Sequence, residues 1–168
     1  MASGTGKTFT TLWVKERLAA QSTLVLLPSL GLLSQTLREW TLATNASFDV
    51  LCVCSDQTVG KKLSEDEVIA SVEDISFPVT SEADQISCFL KGDGNKVIFS
   101  TYQSSPIIAE VQCDDDIPMF DLVVADEAHR CTGQVGKAFT TVLDQSLIKA
   151  KKRLFATATP KTYSTNLK

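Results

Sequence analysis

Two short clusters in this sequence carry residue types that do chemistry on phosphates. The first is Gly4-Thr5-Gly6-Lys7-Thr8. Gly4 and Gly6 let backbone N–H groups approach phosphate oxygens, and a helix starting just beyond them adds a favourable dipole. Lys7 would meet the β and γ charges of a triphosphate, and Thr8 would offer a hydroxyl to Mg²⁺. The run is nearly a full P-loop, G-x-x-x-x-G-K-[ST], with Met1 standing at the first glycine position; a chance cluster of glycines is the competing reading. The second cluster is Asp126-Glu127-Ala128-His129, directly after the apolar run Leu122 to Ala125. A carboxylate at a strand tip can hold a hydrated Mg²⁺, and a second one beside it can orient or deprotonate an attacking water. Asp126 is therefore the metal candidate and Glu127 the water activator, because phosphoryl transfer needs neutralised charge and an in-line nucleophile more than covalent help. His129 is the sole histidine. A lone histidine is commonly a packing residue, but its place three after Asp126 marks it for function.

Such clusters need rigid elements behind them. The apolar spacing predicts a helix from Thr8 to Leu18, a buried strand from Ser22 to Pro28, a helix from Leu30 to Thr41 and a strand from Phe48 to Cys54. Ser55 to Thr80 holds Lys61-Lys62, Glu65-Asp66-Glu67 and a capping-box pair, Ser64 and Glu67; it is expected as a solvated surface excursion. A helix from Ser81 to Leu90, a strand from Lys96 to Thr101, a helix from Ser105 to Val111 and strands Phe120 to Ala125 and Arg153 to Thr157 complete the pattern. Short continuous apolar strands alternating with helices imply an α/β fold, a mainly parallel sheet with helices on both faces. Ligands of such sheets bind at the carboxyl ends of the strands, so the residues that follow each strand are the ones that matter. The basic run Lys149 to Arg153 precedes a strand and is expected as a solvated cluster, not a phosphate contact.

Composition narrows the function classes. At 168 residues the chain is one domain, large enough to bury roughly two-thirds of its unfolded surface, which excludes a disulfide-stapled miniprotein. Its 16 basic and 20 acidic residues give a net charge of -4, so bulk attraction to nucleic acid is excluded and only a local patch could serve. No apolar run approaches the roughly 20 residues that span a bilayer, and no signal segment opens the chain. The expectation is no membrane association and a cytoplasmic location. The cysteines Cys52, Cys54, Cys88, Cys113 and Cys131 are odd in number and lack C-x-x-C spacing, which argues against structural zinc. Cys52 and Cys54 fall on one strand face and read as inert core thiols.

In order along the chain, the glycine loop ending at Lys7-Thr8, then Asp126-Glu127-Ala128-His129, then Thr157-Ala158-Thr159 resemble the first motor domain of a superfamily-two DEAH-type helicase. Pro28 to Gln35 resembles that family's strand-to-helix motif, and Ser100-Thr101-Tyr102-Gln103 its later segment touching the nucleic-acid backbone. The flavour is most similar to bacterial and phage helicases related to type I and III restriction motor subunits. The resemblance implies a RecA-like P-loop NTPase domain using ATP and Mg²⁺. Gly4, Thr5, Gly6, Lys7 and Thr8 would bind the nucleotide, with Thr8 and Asp126 on the metal and Glu127 on the hydrolytic water. His129, Thr157 and Thr159 would couple nucleotide state to the nucleic acid. Ser29, Thr101 and Gln103 would face one strand's backbone, turn and cap roles being the alternative. Tyr102 could stack on a base, although an aromatic there is more often core.

The resemblance further implies an ATP-dependent helicase or translocase, with DNA favoured over RNA as partner. A second RecA-like domain of the same longer chain would supply arginine fingers and half of the track. Residues 1–168 are thus expected to be a single helicase ATP-binding domain, truncated before its adenine-reading segment and first strand. Alone it is expected to be inactive, with Arg153 to Thr157 an unpaired apolar edge. The alternative is a nucleotide-binding or structural P-loop module without motor activity. A kinase or GTPase is disfavoured, since no N-K-x-D segment accompanies Asp126-Glu127-Ala128-His129.

Overall fold

Runs such as Thr23 to Leu27 and Val97 to Phe99 become strands because both of their faces are covered. The computed structural model describes residues 6–54, 77–128 and 141–157. Along the chain come α1 (Lys7–Arg17), β1 (Ser22–Leu27), α2 (Leu30–Ala43), β2 (Asp49–Val53), β3 (Val79–Thr80), α3 (Ala83–Lys91), β4 (Lys96–Thr101), α4 (Ser105–Val111), β5 (Phe120–Ala125) and β6 (Ala150–Phe155). Short 3₁₀ turns occupy Tyr102–Ser104 and Thr141–Leu143. The six strands lie in the order β3-β2-β4-β1-β5-β6. Every pairing is parallel, with Leu24 level with both Ile98 and Val123. All carboxyl ends therefore share one edge of the sheet.

Alternate strand residues point to opposite faces. Leu24, Leu26, Val53, Ile98 and Val123 pack with Ile86 and Leu90 of α3 and Ile108 of α4. Val25, Leu27, Cys52, Phe99 and Val124 pack instead with Leu12 of α1 and Leu33, Leu37 and Trp40 of α2. The α/β architecture with helices on both faces is thus the one the sequence predicts. Truncating a fully buried residue such as Leu24 to alanine would cost about 2–5 kcal/mol. Cys52 and Cys54 share one core face, where burial pushes the Cys52 thiol up to about 12.

Two sequence expectations need correction. The supposed excursion from Ser55 to Thr80 ends in β3, which pairs with β2 through Cys52↔Val79 and Val53↔Thr80. Two residues carry no readable periodicity; the pairing comes from the Cys52 amide donating to the Pro78 carbonyl at 2.8 Å. The last strand also begins earlier than Arg153, so Lys151 and Lys152 lie inside β6 rather than before it. At the sheet's edge among the described residues, their side chains reach water, which hides the strand from hydrophobic patterning. The expected apolar edge is accordingly charged along its middle, with Phe155 exposed at its end. Among the described residues no helix is long and apolar enough to cross a membrane. The readings on Gly4, Thr5, Ser64, Glu67, His129, Cys131 and Thr159 lie outside the described residues.

Candidate functional site

α1 starts where Gly6 turns into it. Gly6 has φ 78° and ψ 24°, a left-handed conformation that costs other residues roughly 1 kcal/mol or more. A Cβ there would meet nothing within 4 Å, so the demand for glycine is conformational rather than steric. Gly6 offers α1 no side-chain cap, and no acidic residue sits in the helix's first turn. The helix N-terminus, with its N–H groups and positive dipole end, is a natural seat for an anion. The first turn is anchored from behind. The Thr8 carbonyl accepts the Trp40 indole N–H at 3.1 Å and the Thr11 hydroxyl at 2.8 Å. Trp40 is itself wedged edge-on against Phe99, 5.5 Å between ring centroids.

The acidic half of the site follows β5. The Asp126 amide donates to the Leu26 carbonyl at 2.9 Å, extending the β1–β5 pairing by one step. Its side-chain Oδ1 accepts the Glu127 amide at 2.9 Å, and its carbonyl accepts the Tyr102 hydroxyl at 2.7 Å. Glu127 is left-handed, φ 49°, a conformation that a non-glycine residue keeps only when its surroundings enforce it. The next link is the Ala128 amide, which donates to the Ala156 carbonyl at 2.9 Å, while the Ala156 amide donates to Ala125 at 2.9 Å. Thr157, half-buried, therefore stands beside the acidic turn. This bent turn brings Glu127 Oε1 to 2.5 Å from Lys7 Nζ, across 120 residues of sequence. Burial raises the Asp126 carboxyl above its ordinary range, against the pull of the Glu127 amide and the Lys7 charge.

Lys7, Asp126 and Glu127 thus converge at one end of the sheet, with Thr8 next to Lys7 in the first turn of α1. A hydroxyl and a single strand-tip carboxylate, with an anion seat alongside, suit Mg²⁺ that keeps waters and shares phosphate oxygens better than a cation in an all-protein cage. Ser29, Thr101 and Gln103 follow or end β1 and β4 on the same edge. Ser29, half-buried, caps α2, its Oγ accepting the Leu32 amide at 3.4 Å. Thr101 is completely buried and donates its hydroxyl to Ser104 Oγ at 3.2 Å. Gln103 faces solvent. Tyr102 is core, completely buried, yet its hydroxyl also reaches the acidic turn. Sequence reasoning missed that role, and the only signal for it was a tyrosine directly after a strand that ends on the same edge.

Comparison with known proteins bears on the whole chain. The family described as "Type III restriction enzyme, res subunit" matches residues 1–162. The chain is 33% identical over 168 residues to a protein described as a probable helicase, A859L, of African swine fever virus; it covers 17% of that protein's length. It is similar to the type ISP restriction-modification enzyme LlaGI, solved as a nuclease-deletion mutant with a DNA substrate mimic. There the TM-score is 0.77 and the identity 35%, over 98% of this chain and 13% of that one. The helicase domain of Pyrococcus furiosus Hef superposes with a TM-score of 0.61 at 20% identity, over 97% of this chain and 29% of that one, a likeness of fold.

Proposed function

The chain belongs to the type III restriction enzyme res subunit family, and from that premise we propose that it is the ATP-binding motor domain of a helicase or translocase driven along DNA by ATP hydrolysis. The observation that carries this reading is the contact between Lys7 and Glu127, two residues 120 apart that meet at the carboxyl edge of a parallel sheet. The chain spans only 17% of the length of its viral relative and 13% of that of LlaGI, so those proteins extend well beyond the matched part. DNA is taken as the track because LlaGI was solved with a DNA substrate mimic.

In this reading Lys7 exchanges Glu127 for the β and γ phosphates. The N–H groups at the start of α1, entered through the Gly6 turn, cradle the phosphate oxygens, and Gly4 and Thr5 complete the nucleotide-binding run of the sequence. Thr8 and Asp126 would hold Mg²⁺, which would supply neutralising charge to the phosphates. The carboxylate of Glu127, released from Lys7, is then able to take the proton of an attacking water. Thr157 is tied to the same turn through Ala156 and senses whether that turn is engaged; His129 and Thr159 complete this coupling group. Ser29 and Gln103 meet the phosphate backbone of one DNA strand, while the completely buried Thr101 keeps the turn role behind them. A second motor domain supplies the opposite wall, so this domain by itself turns over little ATP. The test is phosphate release by the full-length protein with and without single-stranded DNA. Stimulation by DNA, lost in Lys7→Ala, is expected; hydrolysis indifferent to DNA would leave a nucleotide-binding module without motor activity.

A further inference from the structure

The peptide group joining Asp126 to Glu127 is pinned on both sides. Its carbonyl accepts the Tyr102 hydroxyl at 2.7 Å, and its N–H donates to Asp126 Oδ1 at 2.9 Å. A peptide is a rigid plane, so holding its oxygen also fixes the direction of its N–H, and with it the plane from which the φ of the residue that follows is turned. That residue is Glu127, whose left-handed φ of 49° aims its carboxylate at Lys7. Tyr102 thus bears, through its hydroxyl, on the turn that orients the Glu127 carboxylate.

Tyr102 does this from a distance in the fold. It follows β4, whereas Asp126 follows β5, and β1 lies between those strands. The phenol therefore crosses the tip of β1 to reach the acidic turn. The ring is completely buried, and its backbone is held by Ser105, whose Oγ donates to the Tyr102 carbonyl at 2.8 Å. Thr101, Ser104 and Ser105 are buried as well. Within the 3₁₀ turn Tyr102–Ser104, Gln103 is the residue that faces solvent. One tight turn consequently carries an outward amide side chain and an inward phenol on adjacent residues, and displacing the first moves the second.

We propose that Tyr102 is a positioning residue that carries the state of the Gln103 turn to the Asp126–Glu127 peptide, so that a DNA strand lying on the tip of β4 sets how well Glu127 is aimed for hydrolysis. The inference rests on the motor reading above. It differs from a purely structural role because it ties the hydroxyl of one buried tyrosine to the response of the ATPase to DNA.

The experiment uses the full-length protein with MgATP and single-stranded DNA. Tyr102→Phe keeps the ring in its pocket and deletes only the hydroxyl. The expected result is a fall of about tenfold in DNA-stimulated kcat, with KM for MgATP within about twofold, the pattern of misaimed chemistry rather than lost binding. Ser105→Ala removes the bond that holds the Tyr102 carbonyl and is expected to lower the stimulation in the same direction, again with KM for MgATP within about twofold. Full stimulation in Tyr102→Phe overturns the proposal, as does full stimulation in Ser105→Ala. Should Tyr102→Phe melt below the assay temperature, amide hydrogen exchange on the unaltered protein decides: DNA must slow exchange at the Glu127 amide, and unchanged exchange overturns the proposal. Lys7→Ala run alongside separates the two levels. Hydrolysis that survives it refutes the motor reading itself, whatever Tyr102 does.

Discussion

Glu127→Gln separates nucleotide binding from hydrolysis, and the geometry fixes the sign of both effects. Lys7 Nζ and Glu127 Oε1 are 2.5 Å apart, with side chains only 12% and 21% exposed. A hydrogen bond to a charged group in such a setting contributes about 1.5–3 kcal/mol. A polyphosphate that claims Lys7 has to replace this bond, which lowers its apparent affinity by roughly 10-fold to 150-fold relative to an unpaired lysine. Glutamine keeps the shape and one acceptor oxygen but not the charge. Removing about 1 kcal/mol of that competition tightens the Kd for MgATP by roughly fivefold. Hydrolysis moves the other way, falling by about 10²-fold to 10⁴-fold, the contribution of a positioned general base. Titration with a fluorescent ATP analogue at fixed salt reads the first effect and single-turnover phosphate release the second. Binding weakened tenfold together with undiminished turnover would refute both the competition and the role of Glu127.

Lys7→Ala should have the opposite signature, weakening MgATP binding by about 2 kcal/mol or more, roughly 30-fold, and abolishing turnover; undiminished turnover in that variant sinks the phosphate-site assignment. Asp121 contributes to acid sensitivity. Burial works against its charge, but Lys151 at 2.7 Å and the amides of Gln21 and Ser22 outweigh burial and hold it below its ordinary value of 3.8. Because the folded value is the lower one, its stabilisation is complete above 3.8 and is lost as pH falls through the folded value. Asp121→Asn should therefore flatten the fall of Tm with pH below that point, and an unchanged slope would show the pair to be silent. Lys151 and Lys152 sit in β6 well before its carboxyl tip, and Lys151 is occupied by Asp121. Neutralising both should leave the salt slope of DNA binding unaltered, whereas a slope reduced by nearly one per lysine would place them on the track.

The elements that position the site were legible because their signals are local. β4 and α4 were read with their observed limits, since proline and serine mark the start of α4 and a continuous apolar run marks β4. Lys7 and Glu127 could be named from their motifs, and their meeting followed from a parallel sheet that puts every strand tip on one edge. What the sequence could not carry was pairwise. β3 is two residues long and exists through its bonds to β2, so no periodic pattern announces it. β6 looks polar because it lies at an edge, where lysines are tolerated and tend to deter pairing between molecules. The Tyr102 contact depends on which strands are neighbours, and the order placing β1 between β4 and β5 is not written in the chain sequentially.

The indole anchoring the first turn of α1 also makes the molecule report on itself. Of its two tryptophans, Trp13 is 58% exposed and Trp40 is completely buried. Acrylamide should quench the first and leave a blue-shifted emission from the second. Trp40 donates directly to the Thr8 carbonyl, one residue from Lys7. Any rearrangement of that turn when a ligand arrives changes the polarity sensed by the indole N–H, so the intensity and wavelength of the protected emission become an intrinsic, label-free gauge of phosphate-site occupancy. Trp13→Phe would leave that signal as the sole tryptophan fluorescence of these 168 residues, suited to stopped-flow timing of nucleotide arrival and departure.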